Sequence, residues 1–86
     1  MTVSFSPHAV GRMIERELDG SLVLDVVEHP QQLIEEEGAK IAQRRFFDPE
    51  VGKEYLIRVF FVEQEGARVI VSVYRTSRVQ KYWREE

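Results

Sequence analysis

The 86-residue chain contains no cysteine and only two histidines. Disulfides, thiolate zinc sites and thiol catalysis are therefore excluded, and the composition fits a reducing compartment. The longest apolar run is four residues, 59–62, against the roughly 20 that a membrane span requires. The first residues lack the basic and apolar regions of a secretion signal, so the expected location is the cytoplasm, with no membrane partner. A glycine-rich phosphate loop, a G-x-S-x-G elbow and zinc-ligand spacing are all missing. With two histidines far apart in sequence, neither a metal nor a cofactor is expected.

The charge is unevenly distributed. Twelve Lys and Arg face fifteen Asp and Glu, a formal net charge of −3. Residues 21–39 carry five acids and no Lys or Arg, whereas residues 67–84 carry five cations and no acid. An acidic molecule with a basic C-terminal half argues against a dedicated nucleic-acid binder but permits a local anion site. At 43% hydrophobic and 31% charged residues, the balance is globular. The length predicts one domain, 1–86, that buries about 60–65% of its unfolded surface.

Local signals predict the elements. Ser6 is an N-cap and Pro7 sits at N1, opening a helix that ends near Asp19-Gly20. Ala9, Val10, Met13, Ile14 and Leu18 share its apolar face; His8, Arg12, Glu15 and Arg16 share the other. A second helix over residues 21–28 is stopped by Pro30, with a valine-rich strand as the rival reading. The period then changes to two. Residues 31–37 and 39–47 form a hairpin about Gly38, followed by strands over 54–63 and 67–75 joined by a turn at Gln64-Glu65-Gly66. On the last strand Val69, Val71 and Val73 point one way, and Arg68, Ile70, Ser72 and Tyr74 the other. Residues 76–86 make a short helical turn. The expected fold is α+β: two N-terminal helices on one face of a four-stranded antiparallel meander.

Three places can carry chemistry. His8 lies in the first helical turn, beside the positive end of the helix dipole, which disfavours an imidazolium. Arg12 is one turn on, and a base beside a guanidinium suits phosphate chemistry; a solvated helix face is the plain alternative. Arg58 interrupts an apolar central strand, so it needs a carboxylate, such as Glu35 or Glu36, or a bound anion. Finally, residues 73–78 place Tyr74, Arg75, Thr76, Ser77 and Arg78 together, a set able to bond phosphate oxygens or simply to cap the final turn. Tyr82 and Trp83 read as aromatics that close the sheet, with stacking on nucleic-acid bases as the alternative.

The segments F-S-P-H-A-V-G-R-M-I-E-R (5–16), V-x-x-V-V-E-H-P (23–30) and V-S-V-Y-R-T-S-R-V-Q-K-Y-W (71–83) resemble a small prokaryotic domain-of-unknown-function family. Its members open with a His-x-x-x-Arg-Met-x-x-Arg helix. That family is placed with the barnase, EndoU, colicin and RelE group of metal-independent ribonucleases, many of them toxins. The resemblance implies a RelE- or barnase-like fold and an endoribonuclease toxin that cleaves RNA by 2′-hydroxyl attack. It implies catalytic roles for His8, Arg12, Arg58, Tyr74 and Thr76. RNA contacts would come from Arg16, Arg75, Ser77, Arg78 and Lys81. The implied partners are RNA as substrate and a small antitoxin. The rival reading is a non-catalytic module of the same fold that binds an antitoxin or dimerises with itself. The acidic net charge departs from the strongly basic ribosome-dependent toxins, and no second histidine is placed as a partner acid.

Overall fold

A computed structural model describes residues 2–85. Strand β1 (Thr2–Phe5) leads through Ser6 into helix α1 (Pro7–Glu15). The Ser6 Oγ accepts from Ala9 N at 3.1 Å, as an N-cap should, and donates to Val71 O at 3.3 Å. The helix stops three residues before Leu18, earlier than the periodicity predicts. Glu17 turns left-handed at φ 53°, and Asp19 is committed to capping helix α2 (Gly20–Glu28) through Ser21 N at 3.1 Å. The valine-rich segment is thus helical, and His29 is its C-cap.

Strands β2 (Gln32–Glu36), β3 (Ala39–Asp48), β4 (Lys53–Gln64) and β5 (Ala67–Thr76) form the expected antiparallel meander. Two of its turns are two-residue loops, Glu37-Gly38 and Glu65-Gly66, with positive φ at both positions. Such turns match the right-handed twist of a hairpin. Helix α3 (Val79–Tyr82) follows β5.

The sheet has five strands, not four. β1 pairs parallel with β5, giving the order β1-β5-β4-β3-β2. A four-residue strand whose partner lies some 65 positions away leaves little local signal. The expected alternation of β5 also needs correction. A bulge between Phe60 and Phe61 passes over Val71, so Ile70 joins Val73 on the helix-covered face. The carbonyl of Val71 is the one that Ser6 engages.

Helices α1 and α2 cover one face, and the core there joins Ala9, Val23, Val26 and Val27 to Ala42, Ile57, Val59, Phe61, Ile70 and Val73. The apolar stripe of α1 is narrower than expected: Ala9 is buried, while Val10 is 43% and Ile14 73% exposed. The other face carries Ile41, Gln43, Leu56, Arg58, Phe60 and Tyr74, with the α3 segment against it. Among the described residues no helix is long and apolar enough to cross a membrane.

Candidate functional site

Four side chains from four strands line up across the second face. Register places Gln32 beside Gln43, Gln43 beside Arg58, and Arg58 beside Tyr74. Directly opposed residues share a face, so the pleat itself builds this polar row. Arg58 Nε donates to Gln43 Oε1 at 2.9 Å, and Nη1 donates to the Tyr74 phenol oxygen. The Gln43 amide donates to Gln32 Oε1 at 2.7 Å and to the Tyr82 carbonyl at 3.2 Å. The Tyr82 ring lies over the guanidinium, 4.4 Å from Cζ. Phe60 and Tyr74 rings stand further out, at 5.4 and 5.6 Å.

Arg58 is 6% exposed. Neither carboxylate considered from sequence is its partner: Glu35 approaches Lys40 at 3.9 Å and Glu36 approaches Arg84 at 3.8 Å. Among the described residues Arg58 has no carboxylate within ion-pair distance, and its hydrogen-bond partners are neutral. A buried cation without a counter-charge is costly, and stacked rings supply only part of what water would.

The two phenols beside Arg58 are driven apart. Burial, above all, raises the Tyr74 pKa, against the opposing hydrogen bond and charge of Arg58. The neighbouring Tyr74 hydroxyl is the main cause that lowers Tyr82, helped by the cations of Lys81 and Arg58.

The remaining candidates are dispersed. His8 is exposed at the start of α1, on the helix side of the sheet. Arg12 pairs with Glu15 at 3.4 Å, and Arg16 is the exposed C-cap of the same helix. Val59 belongs to the core beneath the helices, so its neighbour Arg58 points away from them. The sheet therefore separates His8 and Arg12 from Arg58 and Tyr74, and the expected common cleft is not formed. Arg75 also lies on the helix side, over Tyr55 at 5.2 Å. Thr76 shares the face of Arg58, opposite Leu56, but its Oγ1 accepts from Arg78 N at 3.1 Å. Ser77 and Arg78 are exposed at the start of the last turn, and Lys81 sits 5.3 Å from the Tyr82 ring.

Gln43 and Tyr82 were not among the sequence candidates. Gln43 is a neutral residue in a strand whose charged neighbours draw attention, yet it is fully buried, which a glutamine tolerates only when bonded. Among the described residues no three His, Asp or Glu side chains are grouped to hold a metal ion.

A sequence profile described as Domain of unknown function (DUF4258) matches residues 5–79. The chain belongs to that family. The DUF4258 match includes the α1 motif and all three strand positions Gln43, Arg58 and Tyr74, and it ends at Val79, before Tyr82. No curated protein and no solved structure matches the chain.

Proposed function

We propose that this DUF4258 chain is a metal-independent endoribonuclease, of the toxin kind paired with a small antitoxin, and that its site is the Arg58–Tyr74 row rather than the His8 helix. The observation that carries this reading is a buried arginine with neutral partners alone. A phosphodiester is the anion that would complete it. Tyr82, the phenol of the two whose surroundings favour ionisation, takes the proton from a ribose 2′-hydroxyl. The 2′-oxygen bonds to phosphorus, Arg58 offsets the charge of the five-coordinate phosphorane, and the 5′-oxygen leaves with a proton from Tyr74. Lys81 and Thr76 lie beside this path. A RelE- or barnase-like placement of the fold supports the same chemistry by resemblance.

The experiment is incubation of the protein with structured RNA, with and without ribosomes, followed by end analysis. Fragments ending in 2′,3′-cyclic phosphate, formed in the presence of a chelator, are expected. Intact RNA under both conditions overturns the proposal. The exposed Val10 and Ile14 on α1 favour a second reading, a non-catalytic module that binds a protein partner or a second copy. Sedimentation as a dimer that Ile14→Glu converts to a monomer would support it, and a monomeric wild type would remove the second copy.

A further inference from the structure

We propose that residues 79–84 form a strap that closes over Arg58 and must lift before an anion can reach the guanidinium; this rests on the reading of the Arg58 row as the anion-handling site.

The strap is fastened by side chains of the same row. Gln32 pairs with both backbone groups of Arg84: Arg84 N donates to Oε1 at 3.0 Å, and Nε2 donates to Arg84 O at 2.6 Å. One primary amide thus does for the extended segment what a neighbouring strand would do. Gln43 holds the Tyr82 carbonyl while its oxygen holds Arg58 Nε. The fastening of the strap and the orientation of the guanidinium therefore pass through one amide. Arg45 lies over the Trp83 ring at 4.8 Å, and the Arg84–Glu36 pair at 3.8 Å is solvent-exposed on both sides.

These fastenings are separable from the core. α3 is four residues long and has no side-chain cap at its start, and a single uncapped turn has little stability of its own. Val79 is buried and serves as the anchor. Beyond it the contacts are amide hydrogen bonds, cations over the Tyr82 and Trp83 rings, the edge contact of Tyr82 with Tyr74 and an exposed ion pair, of which water can replace the polar ones. With the strap down, the Tyr82 ring occupies the space in front of the guanidinium. With it raised about Val79, Arg58 meets solvent while Gln43 and Tyr74 still orient it. Tyr82 then returns beside a bound phosphate.

Trp83 is the only tryptophan, so its fluorescence reads the strap alone. The probe is a six-nucleotide 2′-O-methyl RNA, which lacks the hydroxyl needed for cleavage. Gln32→Ala removes both bonds to the Arg84 backbone and contacts Arg58 only through Gln43, which keeps its bonds to Arg58 Nε and the Tyr82 carbonyl. Arg84→Pro removes the donated N–H at an exposed position, so it tests the same contact without disturbing the sheet. Both variants are expected to expose Trp83 to acrylamide before any ligand is added. Both should also bind the probe about tenfold more tightly, since the closed population no longer competes. Trp83 as protected in both variants as in the wild type overturns the proposal. So does release of Trp83 with no gain in affinity. If no variant cleaves RNA but quenching and affinity shift as stated, the strap stands and the nuclease reading falls. If cleavage is robust and neither variant changes quenching, the nuclease reading stands and the strap falls.

Discussion

Arg58 and Tyr74 face each other across β4 and β5, and the guanidinium donates from Nη1 to the phenol oxygen. Neither side chain is charged negatively at neutral pH, so the contact orients Arg58 without neutralising it. Gln43 does the same from the opposite strand. The centre of the second face is thus a positioned cation with no counter-charge among the described residues.

Gln43 is the hub of the row. Gln43→Ala would leave Arg58 Nε and the Tyr82 carbonyl without their partner, and Gln32 Oε1 with Arg84 N alone. Leaving buried polar groups unpaired costs about 1–3 kcal/mol, and a loss of about 2–3 kcal/mol is expected in urea denaturation. A loss under about 0.5 kcal/mol, the ordinary surface range, would show that water replaces these bonds freely.

The phenols predict a split alkaline titration. Tyr82 should ionise below the ordinary tyrosine value and Tyr74 above it, for the causes given above. The two contribute to stability with opposite sign. The lowered Tyr82 contribution is present above the unfolded value of about 10 and is lost as pH falls through the folded value. The raised Tyr74 contribution is present below about 10 and is lost as pH rises through the folded value. Ultraviolet titration of the wild type, Tyr82→Phe and Tyr74→Phe assigns each step. Three coincident tyrosine steps would contradict the described environments.

Glu65 sits at φ 49° in a two-residue hairpin turn followed by Gly66. A left-handed conformation strains most residues but suits asparagine. Glu65→Asn is expected to stabilise the fold by about 0.5–1 kcal/mol, a rise of about 2–8 °C in Tm. An unchanged or lower Tm in a thermal scan would show that Glu65 contributes more than its backbone costs.

What was legible in the sequence was local. Ser6-Pro7 announces a helix, Gly38 and Gln64-Glu65-Gly66 announce hairpin turns, and Arg58 stands out in an apolar strand. What was not legible depended on register and on sides. Period-two patterning assigns faces within a strand, but the row from Gln32 to Tyr74 requires three pairings in step. Strand β4 is apolar on both faces, so nothing local decided which face α1 and α2 would cover. That choice placed His8 on the wrong side for Arg58. The bulge at Phe60/Phe61 reversed Ile70, and β1 was too short and its partner too distant to be noticed.

The central claim is that the reacting site lies on the face of Arg58, away from His8. The most direct measurement is RNA cleavage by His8→Ala and Tyr74→Phe beside the wild type. His8→Ala should cleave like the wild type, and Tyr74→Phe should lose about 10²-fold or more, the usual weight of a placed proton donor. Cleavage lost in His8→Ala and kept in Tyr74→Phe would contradict the account.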